Sequence, residues 1–136
     1  MDFFLFLGRE WPLVSLLAGL VYAYAWVERE RSGRPISCLK ATLLLNRGQA
    51  VLVDLRPAKE YHAGHIAGAV HLPHDQFDGR MGELEKHRDK VIILADRLGQ
   101  HAGRAGRRLR ASGYQVRRLA GGIAEWTAQG LPLVKK

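Results

Sequence analysis

The chain has 136 residues, 47% of them hydrophobic and 25% charged. That is one folded domain with about thirty residues to spare, which excludes two catalytic domains and global disorder. The single cysteine, Cys38, excludes an internal disulfide and a multi-cysteine metal site. Lys plus Arg exceed Asp plus Glu by 21 to 13, a formal charge of +8, so the acidic partners open to the chain are membrane lipid, nucleic acid or small anions.

The first element is apolar all round. Residues 11–27, WPLVSLLAGLVYAYAWV, contain no charge and as a helix rise about 25 Å, the short end of what spans a bilayer. Trp11 and Trp26 mark its two ends, with Tyr22 and Tyr24 close to the second, as suits rings that prefer the headgroup level. A buried core helix and a cleaved signal peptide, with Ala23-Tyr24-Ala25 as the cleavage site, compete with a retained anchor. The charges Asp2, Arg9 and Glu10 leave no basic leader, and the arginines directly after the span resist export. A retained anchor over 1–27, with the span at 11–27, is therefore favoured. Arg9 alone precedes the span, whereas Arg29, Arg31, Arg34 and Lys40 follow it, so the rest of the chain is expected in the cytoplasm, carried by a single pass through the inner membrane. Residues 28–35 read as a basic linker and 36–136 as the domain.

Ser37 can cap a helix over 38–46 with Leu39, Leu43 and Leu44 inward and Gly48 past its end. Residues 51–55 form a short buried strand, Pro57 opens a helix over 58–62, and 69–72 form the next strand. A polar helix is expected near 82–87. The β-branched run 91–95 is a central strand, followed by a loop, 96–101, and a helix over 102–111 that Gly113 stops. A strand over 114–119, a turn at Gly121-Gly122 and a helix over 123–129 complete the chain. This alternation implies an α/β fold, a mostly parallel sheet with helices on both faces.

Ligands in such sheets bind beyond the carboxyl ends of the strands. Two strands end there in aspartate, Asp54 and Asp96. A strand followed by Asp96, Arg97, Leu98, Gly99, Gln100 and His101 and then a helix is the geometry of an anion cradle, in which loop amides and a helix N-terminus converge.

These segments resemble a rhodanese-like domain. The first half of that pattern is met at Asp54, Arg56, Glu60, Tyr61, Gly64, His65, Ile66, Gly68, Ala69 and Pro73, and its ending at Leu119, Gly121, Gly122, Trp126, Gly130, Leu131 and Pro132. With an N-terminal anchor on a single domain and GELEKHRDK before the central strand, the chain is similar to the small membrane-anchored YibN-like subgroup. The resemblance implies one rhodanese-like domain with a five-stranded parallel sheet, and it makes Asp54, Arg56, Gly64, His65 and Gly68 structural. Active members carry a cysteine at the end of the central strand in a Cys-x-x-Gly-x-Arg loop. Aligned on Gly99, that position is Asp96, the loop arginine is His101, and the following Ser or Thr is Ala102. A carboxylate cannot carry a persulfide, so no catalytic residue is expected, and Asp96 is free to cap the cradle by accepting its amides. Cys38, sixty residues upstream, is no substitute and reads as a small hydrophobe.

An Asp96 nucleophile would need a metal and a second carboxylate, and Leu98 stands where an Asp-x-Asp run would supply one. His62, His65, His71 and His74 form two His-x-x-His pairs, but His65 belongs to the family turn, His71 lies within a strand and His74 beyond its end, so the four need not converge and no metal and no cofactor is expected. Seven arginines fall within 97–118 with no acid among them. Leu98, Ala102, Ala105 and Leu109 make the inward stripe of that helix, and Arg104, Arg107 and Arg108 project outward as a basic surface. Membrane lipid is the partner this surface suits, with other membrane proteins also within reach of a tethered domain. No aromatic rings interleave the arginines, so no specific nucleic acid is expected. The expected function is a membrane-anchored binding or scaffolding module without sulfur transfer; the alternative is a sulfurtransferase or phosphatase-like enzyme on the same fold.

Overall fold

A computed structural model describes residues 2–135. The chain divides into two compact units, 1–30 and 31–136. The first is helix α1, Asp2–Ser32, whose last two residues belong to the second unit. It is continuous through Arg9, Glu10 and Pro12, and Gly8–Ser32 is long and apolar enough to cross a membrane. The side chains of 11–27 are all exposed.

The second unit is built on β1 (Arg34–Ile36), α2 (Cys38–Asn46), β2 (Ala50–Asp54), α3 (Ala58–Ala63), β3 (Val70–His71), α4 (Phe77–Arg80) running into a 3-10 turn at Met81–His87, β4 (Val91–Ala95), α5 (Ala102–Ala111), β5 (Gln115–Leu119) and α6 (Gly122–Ala128). The five strands pair in parallel in the order β1-β5-β4-β2-β3, with β4 central. Val51, Val53, Ile92, Leu94 and Val116 face α4 and α5. Ala50, Leu52, Ile93, Ala95 and Leu119 face α2 and α6. Alternate residues of one strand thus enter opposite layers, as the pleat requires, and helices cover both faces.

Three expectations are corrected. The segment 28–35 is no irregular linker: helix α1 continues to Ser32, and Arg34–Ile36 is the edge strand β1, in register with Arg117–Leu119. Its strand character comes from that pairing, because three residues carry no periodicity of their own. Helix α2 does not turn Leu39 and Leu43 inward. The small side chains Cys38 and Ala41 face the sheet and let the helix approach closely, Leu44 is half-buried, and Leu39 and Leu43 stay 71% and 47% exposed. Leu98 is 59% exposed and lies outside the inward stripe of α5, which consists of Ala102, Ala105, Gly106 and Leu109. Gly106 completes that stripe because a Cβ there would run into the Ser32 carbonyl oxygen.

Candidate active-site-like loop

Central strand β4 ends at Ala95 and delivers Asp96 to the carboxyl edge of the sheet, where the side chain is 2% exposed. The loop then curls back over it. One carboxylate oxygen accepts the Gly99 amide and the other accepts the His101 amide. Gly99 adopts φ +95°, which lets the chain fold back within three residues. Helix α5 has no side-chain cap from His101, so Asp96 serves its first turn from five residues upstream. The converging loop amides of Gly99 and His101 hold the chain's own carboxylate.

The far side of the loop is sealed by α6. The Ile123 and Ala124 amides donate to the Asp96 and Arg97 carbonyls at 2.8 and 3.1 Å. Gly122, at φ +65°, makes this approach possible, since a Cβ there would lie 2.5 Å from the Asp96 carbonyl oxygen. The glycine pair therefore does more than turn the chain: it seats a helix start against the loop.

The remaining loop side chains do not converge on one point. Arg97, Leu98 and Gln100 are exposed. His101 stacks flat on His74, with ring centroids 3.7 Å apart and planes within 2°. A cleft of about 150 Å³ opens there, lined by His74, Phe77, Asp78, Gln100, His101 and Arg104.

Asp54, Arg56, Gly64 and His65 gather one strand away. Arg56 donates Nε to Asp54 Oδ1 at 3.0 Å and Nη2 to Asp54 Oδ2 at 2.8 Å, and the same Nη2 reaches the Gly64 carbonyl at 2.7 Å. Both members of the pair are buried. Breaking such a pair strands a buried charge, so its role is to hold the turn after α3 against the end of β2. His65 bridges Val134 through both backbone groups, and Gly68 turns at φ +77°.

The four histidines do not form a metal cluster. Tyr61 lies between the rings of His65 and His71, 3.9 and 4.1 Å away. His65 donates Nδ1–H to the Tyr61 carbonyl at 2.9 Å and His71 donates Nε2–H to the Arg56 carbonyl at 2.8 Å, because only a protonated ring nitrogen can face a carbonyl. Burial, with the Asp54 charge second, pushes the Tyr61 phenol up. Among the described residues no group of three or more His, Cys, Asp or Glu side chains could hold a metal ion. Cys38 is buried in the α2 layer, far upstream of the loop in the chain, and its thiol is pushed up by burial and by the Glu125 charge.

The basic surface is less uniform than its sequence. Arg104 donates to Asp78 at 2.8 Å and Arg108 pairs with the same carboxylate at 3.3 Å. The acid comes from α4, 26 residues before Arg104 in the chain, where no local spacing could reveal it. Arg118 points elsewhere and donates to the Gly33 carbonyl at 2.7 Å.

The rhodanese-like domain family model matches residues 39–129. The chain belongs to the rhodanese-like domain family. It is 41% identical over 98 residues to the uncharacterized protein YibN of Escherichia coli strain K12, covering 71% of this chain and 68% of that one, which also bears out the likeness to the YibN-like group. A sulfurtransferase of Allochromatium vinosum is 38% identical over 92 residues, 67% of this chain and 84% of its own. The crystal structure of a rhodanese-related protein from Thermoplasma volcanium superposes with a TM-score of 0.67 at 27% identity, over 76% of this chain and 99% of that chain.

Proposed function

We propose that this chain is a membrane-anchored rhodanese-like protein that works as a binding or scaffolding module and not as a sulfur carrier. The observation that carries this reading is the Asp96 carboxylate, buried at the end of the central strand and accepting the Gly99 and His101 amides. In the alignment on Gly99, this is the position at which active members of the family hold their cysteine. Sulfur transfer needs a polarisable nucleophile that makes and breaks a sulfur–sulfur bond, and a carboxylate oxygen cannot form a persulfide. The amides that would stabilise a bound anion are already occupied.

Helix α1, with its exposed apolar length, is the anchor in this reading. The excess of Lys and Arg after the span favours a cytoplasmic domain at the inner membrane. The anchor keeps the domain beside membrane lipid and the other proteins of that membrane, which are the classes of partner it can meet.

The A. vinosum relative, a sulfurtransferase by name, favours a second reading, an enzyme on this fold. One comparison separates them: thiosulfate-to-cyanide transfer by wild type, Cys38→Ser and Asp96→Ala. No turnover above the uncatalysed rate is expected in any of the three. Turnover that survives Cys38→Ser and vanishes in Asp96→Ala makes Asp96 catalytic and overturns the proposal; turnover lost only in Cys38→Ser moves the chemistry to Cys38.

A further inference from the structure

Helix α2 exposes two leucines that the fold does not use. Leu39 and Leu43 are i and i+4, one above the other on the outer face, while Cys38 and Ala41 fill the inner one. Their neighbours Lys40 and Arg47 are exposed too. From Arg31 to Val53 the sequence holds Arg31, Arg34, Lys40 and Arg47 and no Asp or Glu. Helix α2 thus sets two exposed leucines beside two exposed cations and carries no acid of its own.

Scattered exposed leucines are ordinary. Here, however, two are paired at helical spacing beside two cations, a combination suited to the headgroup boundary of an anionic bilayer, where apolar side chains dip in and Lys and Arg meet phosphate. Chain length allows it. Leu39 lies nine residues after Glu30, the end of the first unit, a reach of at most about 30 Å. Helix α5, the basic helix on the other sheet face, lacks both properties: its apolar residues are buried, and Asp78 pairs with Arg104 and Arg108.

We propose that the outer face of α2, Leu39 and Leu43 with Lys40 and Arg47, docks on the headgroup layer of a bilayer containing anionic phospholipid. The proposal rests on the anchored reading above and adds which surface meets the lipid. The leucines supply shallow apolar insertion, and Lys40 and Arg47 supply attraction that salt screens.

The test uses the full chain with Cys38→Ala, carrying Leu43→Cys or, as the control on α5, Arg110→Cys, each labelled with a bimane fluorophore. Each is reconstituted into vesicles of phosphatidylcholine with about a quarter phosphatidylglycerol and into phosphatidylcholine alone. If Cys38→Ala does not fold, the wild-type background serves, because Cys38 is buried and the added cysteine is not. In the anionic vesicles the label at position 43 is expected to be quenched by acrylamide several-fold less than the label at 110. Leu39→Glu in the same chain, or Lys40→Glu with Arg47→Glu, should return it to water. Equal quenching at 43 and 110 overturns the proposal. So does shielding that appears only in native membranes, because a protein then covers the face. Flotation with the vesicles separates the two readings: a chain that floats with position 43 exposed loses only the docking proposal, whereas a chain that does not float loses the anchor and the docking together.

Discussion

Removing the Asp96 carboxylate tests how the loop is held. Asp96→Ala takes away two hydrogen bonds to backbone amides from a side chain that is 2% exposed. A bond from a charged acceptor contributes about 1.5–3 kcal/mol net, so loss of both would cost about 3–6 kcal/mol if the amides stayed dry. They do not: Gly99 is half-buried and His101 exposed, so water can reach both donors once the carboxylate is gone. The expected cost falls to about 2 kcal/mol, the upper end of ordinary cap losses. For a domain of this size that lowers the melting temperature by about 10 °C. Trp126, buried with its Nε1–H on the Pro132 carbonyl at 3.0 Å, is the only tryptophan in the fragment 31–136 and reports unfolding directly. Asp96→Asn keeps the volume and one acceptor oxygen, so it should fall between the two. Asp96→Cys should be destabilised like the alanine variant and, on the alignment proposed above, should transfer little sulfur, since His101 and Ala102 there stand in place of the residues that complete the active family loop. An Asp96→Ala domain as stable as wild type would refute the account, because the carboxylate would then not be holding the loop amides.

Gly106→Ala should cost about 1–3 kcal/mol, because the new Cβ meets backbone, the Ser32 carbonyl, which has no rotamer through which to yield; an unchanged urea midpoint would mean that this approach is looser than described. The Glu85 carboxyl is held below its usual range by hydrogen bonds from Arg88 and Tyr114, so its contribution is present above the unfolded pKa and lost as pH falls through the folded one. Glu85→Gln should therefore flatten the loss of melting temperature between about pH 5 and 3, and an unaltered slope would remove Glu85 from the acid response. Topology is best read from an exposed thiol, since Cys38 is buried: Lys40→Cys in a Cys38→Ala chain should resist a membrane-impermeant maleimide in intact cells and label after lysis, and strong labelling in intact cells would reverse the orientation.

The bounds of α2, β4 and α5 were legible because each has a strong local signal: a capping Ser37, an unbroken apolar run rich in β-branched residues, and a glycine, Gly113, just past the helix end. Strand β1 was not, because Arg34–Ile36 is a strand only by virtue of the β5 edge it meets. The facing of α2 was misread for a related reason. Leu39, Leu43, Leu44 and Leu45 offer more than one apolar stripe, and what selects between them is how closely Cys38 and Ala41 let the helix approach the sheet. In the loop, residue chemistry alone already allowed Asp96 to accept its own amides. The Asp78 pairing with Arg104 and Arg108, the His74–His101 stack and the seating of α6 on the loop carbonyls join residues too far apart in the chain for spacing to predict.

The burial of Cys38 has a consequence for the conditions under which the protein works. A thiol that accepts sulfur must be open to solvent and ionised, and those same properties carry it up the oxidation ladder from sulfenic to sulfinic acid. In this chain the sole thiol is 1% exposed, and burial together with the Glu125 charge keeps it protonated. Peroxide or a shift in the glutathione pool therefore meets a thiol that is covered by the fold and pushed away from the reactive thiolate.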